Sequence, residues 1–201
     1  SNRRAEAGAL TEELDGGDSA GIAAAIAAAT RPVAIPGVAA PWPAVAAAWE
    51  GDEAITAYLS ARDNGRSLNV LVAPPEVAGR YFYDDAVRGF NFATEKMPMR
   101  ALLDRLLAVR GQADAPGLYA GSTPTPESVV SFAAENPLPV DTRGVDPRIW
   151  VGNASRIAPH YDVAANVAVV VAGKRRFTLF PPEQIANLYV GPVERTVAGQ
   201  P

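Results

Sequence analysis

The stretch that decides the fold is RIAPHYDVAANVAVVVAGKRRFTLFPP, residues 156–182, which contains the only histidine among 201 residues. His160 lies two residues before Asp162, and a run of small and β-branched residues follows. In a β-strand, residues i and i+2 project from the same face, so these two side chains would present an imidazole nitrogen and a carboxylate oxygen to one point. The stretch therefore predicts β-strands and points to half of a metal site.

The HxD spacing has more than one interpretation. A histidine and a carboxylate two residues apart, completed by a second histidine from another strand, form the facial triad that holds non-haem Fe(II). The same spacing is also typical of a surface histidine with an aspartate neighbour, or of a histidine whose proton that aspartate accepts. On spacing alone the surface arrangement is the commoner one, and the alternatives stay open.

Composition limits the classes of function. With 48% hydrophobic and 20% charged residues, the chain is typical of a folded globular domain. A net charge of −4 without a basic cluster argues against nucleic-acid binding. The absence of cysteine excludes disulfides, thiolate metal sites and cysteine nucleophiles. The apolar stretch AGIAAAIAAA is too short to span a bilayer, so we expect no membrane segment and a cytoplasmic location.

The first half of the chain is predicted to be mainly helical. An Ala-rich helix is expected to begin at Asp18 or Ser19 and to end before Pro32. One or two short helices are predicted within 41–65, and a further helix over 98–109, where leucines recur at helical spacing. The three tryptophans are interpreted as core residues, with the third also a candidate for a pocket wall: Trp42, Trp49 and Trp150.

Strands are predicted between these helices and, above all, after residue 148. The earlier candidates are 67–75 and 80–85. The later ones are RIWVGN at 148–153, NVAVVVAG at 166–173 and RRFTLFPP at 175–182, each rich in β-branched or aromatic residues and bounded by turn residues.

The residues around the HxD resemble a known family. The sequence HYDVAANVAVVVAGKRRFTLFPPEQIANLY, residues 160–189, is similar to the cupin-like JmjC family of Fe(II)- and 2-oxoglutarate-dependent oxygenases. The resemblance is strongest to the branch that contains the asparaginyl hydroxylase acting on hypoxia-inducible factor and its bacterial relatives. It rests on the HxD, an Asn six residues after the His, a glycine and a basic residue at the next turn, and LFPP running into LY. RPVAIPGVAAPWPAV (31–45) and GRYFYDDAVRGFNF (79–92) extend it upstream.

The resemblance implies a mainly β fold, a cupin-type double-stranded β-helix or jelly roll, preceded by an N-terminal helical α/β region. Residues 1–110 would pack on the barrel and residues 111–201 would form its first part, in one structural unit. The family's second iron histidine lies further downstream, and this chain has no second histidine. We therefore expect an incomplete barrel, and favour a longer protein over a remnant unable to hold iron, because a half-built barrel leaves sheet edges and an apolar face unpaired.

Three matching residues are assigned by the resemblance to the metal and its surroundings. His160 and Asp162 would be catalytic iron ligands, and Asn166 would face the co-substrate region. The chain also departs from the family at Ile157, where relatives carry a threonine that contacts the co-substrate.

Two further residues would hold 2-oxoglutarate. Arg175 matches a basic residue that pairs with the distal carboxylate, which a guanidinium can grip with two parallel hydrogen bonds. Its neighbours Lys174 and Arg176 are the alternatives, since a turn with three basic residues is often a solvated surface. Tyr119 matches a tyrosine that donates a hydrogen bond to the same carboxylate, and is equally interpretable as a core aromatic.

The resemblance therefore implies an Fe(II)- and 2-oxoglutarate-dependent dioxygenase that hydroxylates a protein side chain or a small molecule. The alternative is a catalytically silent cupin-like module that binds a partner or a small acid. The expected partner is a protein, peptide or small-molecule substrate rather than nucleic acid or membrane. The oligomeric state stays open, with a homodimer among the alternatives.

Overall fold

Residues 12–14, 18–160, 162, 166–189 and 191 are described by the computed structural model. The N-terminal part is mostly helical, as predicted. Its elements are β1 (Glu12–Glu13), α1 (Ser19–Ala28), β2 (Val33–Ala34), α2 (Pro43–Glu50) and α3 (Asp52–Ser60). The two short strands pair in parallel.

The helix starts follow from local sequence. The Asp18 side chain accepts a hydrogen bond of 2.7 Å from the Gly21 amide, which satisfies one of the free N–H groups at the start of α1. Pro43 occupies the first turn of α2, where its missing N–H leaves no hydrogen bond unmade. The helices predicted near residue 18 and within 41–65 are therefore confirmed.

A four-stranded antiparallel sheet forms the centre of the fold. Its strands are β3 (Ser67–Ala73), β4 (Ala93–Pro98), β5 (Gly117–Pro124) and β6 (Arg148–Gly152), in the order β4-β3-β5-β6. The predicted helix after β4 is α4 (Met99–Val109), and two one-turn helices follow β5: α5 (Thr125–Ser128) and α6 (Phe132–Glu135). Single 3₁₀ segments cover Pro75–Val77 and Pro182–Asn187.

The two faces of the sheet differ in their cover. Side chains alternate along a strand, so Val70, Leu118 and Ala120 face the helices and are buried with Leu102 of α4 in one hydrophobic core. The residues between them project from the other side, which we call the open face. It carries Asn69, Leu71, Tyr119, Trp150 and Gly152, with Tyr119 in register with both Leu71 and Gly152.

The predicted fold class, a β-sheet core with an N-terminal helical region, is confirmed. Among the described residues the strands form an open sheet and do not close a barrel. Strands from both sides of residue 110 contribute to this sheet, and the division at that residue stays a prediction. Within the same described part of the chain, no helix has the length and apolar character needed to cross a membrane.

The strand predicted at 67–75 is confirmed as β3, whereas the strand predicted at 80–85 needs correction. Residues 80–85 form isolated bridges rather than a strand, with Tyr83 opposite Phe90. The strand lies instead at 93–98, whose sequence ATEKMP shows little apolar character. β4 lies at the sheet edge, and its four leading residues are exposed, so burial does not impose an apolar pattern on it.

The strand predictions at 166–173 and 175–182 are also wrong, because the described residues form no strand there. The chain bends at Gly173, where a φ of 74° favours glycine, but no bridge pairs this segment with another described residue. A strand needs a neighbour to satisfy its N–H and C=O groups, so apolar sequence alone does not create one. The large apolar side chains are exposed: Val167, Val170, Phe177, Leu179 and Phe180.

The tryptophans divide between core and surface. Trp42 is buried, and its Nε1 donates a 2.8 Å hydrogen bond to the Pro137 carbonyl. The prediction that Trp42 is a core residue is therefore confirmed. Trp49 is 86% exposed on α2, so that interpretation was wrong there. Trp150 is 43% exposed on the open face, because the alternation of β6 directs Ile149 and Val151 to the core instead.

We expect Leu102→Ala to lower the free energy of unfolding by about 2–5 kcal/mol, because the fully buried side chain leaves a cavity in the core. Chemical denaturation followed by circular dichroism measures it. Leu179→Ala makes the same chemical change at an exposed site and should stay within about 0.5 kcal/mol of the parent. Equal losses in both variants would contradict the assignment of the core to the helical face of the sheet.

Candidate functional site

Tyr119 lies at the centre of the open face, and glycines make room for its ring. A Cβ atom at Gly121 would lie 2.7 Å from the Tyr119 ring carbon Cε1, and one at Gly152 would lie 3.1 Å from Cδ2. Real Cβ atoms essentially never approach as closely as 2.7 Å, and 3.1 Å is tighter than most real contacts, so the ring takes up space that a side chain at either position would need. The phenol is therefore held flat along β5, partly buried between neighbouring strands.

A second tyrosine, Tyr81, packs beside the first. The ring centroids of Tyr81 and Tyr119 are 5.6 Å apart, and Tyr81 is only 1% exposed. Its hydroxyl lies 2.8 Å from where a Cβ of Gly117 would stand. Among the described residues it is the one buried side-chain polar atom without a hydrogen-bond partner. Burial raises its pKa well above the usual range of a tyrosine, so it stays a neutral hydroxyl.

The loop over residues 80–92 holds Tyr81 against the sheet. Phe90 and Phe92 stack with their centroids 4.9 Å apart, and Phe92 meets Tyr81 edge-on at 5.6 Å. Asn91 closes the loop, since its Oδ1 accepts from the Phe82 amide at 2.9 Å and its Nδ2 donates to the Arg80 carbonyl at 2.9 Å. An aromatic cluster therefore covers one side of Tyr119.

Arg175 approaches Tyr119 from the far end of the chain. Burial raises the pKa of the Tyr119 phenol, and the positive charge of Arg175 together with a hydrogen bond from its guanidinium opposes that rise. The Cζ atom of Arg175 also lies 5.4 Å from the centroid of the Phe177 ring. Of the three consecutive basic residues, Arg175 is the one whose charge and hydrogen bond lower the pKa of Tyr119.

His160 is exposed and its ring orientation is fixed locally. Its Nδ1 atom lies 2.8 Å from the Ala158 carbonyl oxygen. A carbonyl oxygen only accepts, so this hydrogen bond requires the proton on Nδ1 and leaves the lone pair of Nε2 available in the neutral ring. Histidines that ligate metals usually donate their second nitrogen to a carbonyl or carboxylate in this way.

Asp162 is held by Asn166. The Asn166 Nδ2 donates a 2.6 Å hydrogen bond to Asp162 Oδ2, which leaves the other carboxylate oxygen without this restraint. The sequence predicts that Asn166 faces the co-substrate from a strand; in the structure it lies outside any strand and contacts the carboxylate. Its role toward a co-substrate stays a prediction.

The structure thus brings the predicted residues together in two pairs, Tyr119 with Arg175 and Asp162 with Asn166. Neither His160 nor Asp162 lies in a strand, and Pro159 before them has no N–H to offer a sheet. Across the ranges given above, no hydrogen bond or ion pair joins His160 to Asp162, and no three His, Cys, Asp or Glu side chains gather around one point.

The sequence carries a local signal for the tyrosine pocket in addition to the family resemblance. In GLYAGST, glycines stand two residues before and two residues after Tyr119, on the same face of the strand. Such spacing removes the neighbouring Cβ atoms and favours a ring that lies along the strand. Tyr81 was missed because nothing local distinguishes it from the other aromatic residues in RYFY.

Comparison with known proteins identifies the family. The model of the cupin-like domain family matches residues 19–201. The chain belongs to the cupin-like domain family. This cupin-like chain is also similar to JmjC domain-containing protein F of Dictyostelium discoideum, with 35% identity over 51 residues. That match covers 25% of this chain and 11% of the relative, so the cupin-like chain spans about a tenth of that protein's length. No solved structure matches it.

The family assignment confirms the coarse part of the resemblance. The cupin-like chain lies in the cupin and JmjC superfamily, which includes Fe(II)- and 2-oxoglutarate-dependent oxygenases. The open sheet with an aromatic face described above is consistent with part of a cupin jelly roll.

We expect Arg175→Gln to raise the pKa of Tyr119 further, because the substitution removes the charge and hydrogen bond that favour the phenolate. Titration of ¹³C-labelled tyrosine rings by NMR measures the change. Arg176→Gln, one residue along, should leave the Tyr119 titration where it is. An equal rise in both variants would mean that the whole basic turn, rather than Arg175, acts on the phenol.

Proposed function

We propose that this cupin-like chain belongs to an Fe(II)- and 2-oxoglutarate-dependent oxygenase that hydroxylates a protein side chain or a small molecule. The observation that carries the proposal is the approach of Arg175 to Tyr119. The two residues are far apart in sequence and lie in different parts of the fold, yet they are the pair that the family resemblance assigns to one carboxylate.

The donor set of this pair suits a carboxylate. The Tyr119 hydroxyl donates one hydrogen bond, and the Arg175 guanidinium can donate two in parallel to both oxygens of the group. Arg175 forms no ion pair with an acidic side chain in the described part of the chain. Its charge is therefore available to a ligand, and the half-buried phenol beside it lowers the competition from water.

The metal ligands are supplied in part. His160 offers Nε2, and Asp162 offers a carboxylate oxygen that Asn166 helps to orient. An imidazole and a carboxylate are the ligand types of the non-haem Fe(II) triad, whose third ligand would be a histidine outside these 201 residues. When bound, iron with 2-oxoglutarate and dioxygen supplies the oxidation of a C–H bond; the chain supplies the binding groups and their orientation.

Within the superfamily we place the protein nearest to the branch of the asparaginyl hydroxylase acting on hypoxia-inducible factor. The support is the spacing of His160, Asp162 and Asn166 followed by a basic residue after Gly173. On that basis the substrate is a protein, a peptide or a small molecule that reaches the open face beside Tyr119.

A second candidate is a catalytically silent cupin-like binding module. The observation in its favour is that His160 and Asp162 are two ligands where the triad needs three, with no third ligand among the described residues. Such a module would keep the Tyr119 and Arg175 pair and bind an acidic ligand without turnover. Iron binding separates the two candidates.

We expect Fe(II) with 2-oxoglutarate to raise the melting temperature of a form of the protein that carries a second ligand histidine, and His160→Ala to abolish the rise. At ligand concentrations of about 100 Kd, linkage stabilises the folded state by about 2.7 kcal/mol, or roughly 5–10 °C for a domain of this size. Differential scanning fluorimetry under anaerobic conditions measures it.

Asp162→Asn should abolish the rise in melting temperature, as His160→Ala does. Asp146 is an exposed aspartate elsewhere in the chain, so Asp146→Asn should leave the rise unchanged. Residues 1–201 alone should retain iron weakly, because two ligands do not fix a coordination face. An unchanged melting curve for the form with the second histidine would favour the binding module.

We expect Arg175→Ala to weaken 2-oxoglutarate binding by about 2–5 kcal/mol while iron affinity stays nearly unchanged, because the distal carboxylate loses its charged partner. Arg175→Lys should fall between, since an ammonium keeps the charge but not the two-pronged geometry. Lys174→Ala and Arg176→Ala should have small effects. Calorimetric titration into the anaerobic iron-loaded protein measures all four, and uniformly small effects would remove the case for a 2-oxoglutarate site at this turn.

A further inference from the structure

A second pocket, of about 280 Å³, lies where the turn before Tyr81 meets the segment after β6. Its lining residues are Val77, Ala78, Arg80, Ala154, Ser155 and Arg156. None of them belongs to the Tyr119 and Arg175 pair. The pocket has two arginines and a serine around a small volume, and no acidic residue of the described ranges lines it.

The backbone sets the two arginines side by side. Arg80 and Arg156 form an isolated parallel bridge, and the Arg156 amide donates a 2.9 Å hydrogen bond to the Gly79 carbonyl. Gly79 permits this approach, because its φ is +70° and a Cβ there would lie 2.3 Å from the Ala154 carbonyl oxygen. The pairing is therefore built into the backbone rather than left to mobile side chains.

Neither guanidinium has a counter-charge among the residues that the structure describes. In the described part of the chain, no ion pair involves Arg80 or Arg156, whereas four other arginines each pair with a carboxylate. Arg80 instead lies over the Phe82 ring, with its Cζ atom 5.6 Å from the ring centroid. This contact leaves the N–H groups at the edge of the Arg80 guanidinium available to donate hydrogen bonds. Two like charges that share one pocket repel each other, and a bound anion would relieve that repulsion.

We propose that this pocket binds an oxyanion, a carboxylate or phosphate group presented by a ligand from solution. Two guanidinium forks can each donate parallel hydrogen bonds to such a group, and the Ser155 hydroxyl offers one more donor. The arginines are exposed to solvent, so the affinity falls as salt screens the charges. The site is independent of the oxygenase function proposed above.

The test is a ¹H–¹⁵N NMR titration of the 201-residue chain with inorganic phosphate at constant ionic strength. The expected result is a saturable shift of the Ser155 and Arg156 amides. Arg80→Gln and Arg156→Gln should each weaken binding by roughly tenfold or more, the loss of one charge-assisted contact. Arg156→Lys should weaken it less. Arg31→Gln removes one exposed positive charge elsewhere and should change nothing.

A parallel titration with a blocked tripeptide carrying one glutamate distinguishes the source of the oxyanion. Saturable binding of the peptide points to an acidic side chain of a polypeptide, and binding of phosphate alone points to a phosphate-bearing ligand; both support the site. Shifts that chloride reproduces at equal ionic strength, or an equal loss in Arg31→Gln, would show general charge attraction and overturn the proposal. Melting curves of each variant verify that the fold is kept.

Discussion

The two-residue alternation of β5 is the constraint on which the rest of the structure depends. β5 is hydrogen-bonded on both sides, to β3 and to β6, so its register is fixed twice. Leu118 and Ala120 must enter the helical core, and Tyr119 between them must then face the other way. A slip of one residue would bury the phenol among the helices and remove it from the candidate site.

Local sequence signals predicted the helices well, because caps, prolines and leucine spacing act within one element. They failed where a long-range partner decides the outcome. β4 has a polar sequence but forms a strand because β3 pairs with it. Residues 166–180 have an apolar sequence but form no strand, because no described segment pairs with them. In the site, family resemblance suggested Tyr119 and Arg175, but no sequence pattern indicated that Tyr81 packs beside them.

The candidate site joins parts of unequal rigidity. Tyr119 is locked by paired strands, by glycines and by the aromatic cluster of the 80–92 loop. Arg175 comes from an exposed segment that has no sheet partner in the described part of the chain. The phenol therefore fixes the position of a bound carboxylate, and the Arg175 side chain adjusts to that position. Most of the conformational entropy lost on binding is then lost by Arg175 and its segment.

The two glycines around Tyr119 constrain sequence change differently. At Gly121 the three atoms nearest to an added Cβ all belong to the Tyr119 side chain, whereas at Gly152 an added Cβ would also lie 2.5 Å from the Leu118 carbonyl oxygen. Replacing the tyrosine by a small residue would make room for a side chain at position 121, but not at position 152, where the backbone itself excludes one. Residues 119 and 121 should therefore co-vary through evolution, while residue 152 stays invariant whatever the ligand.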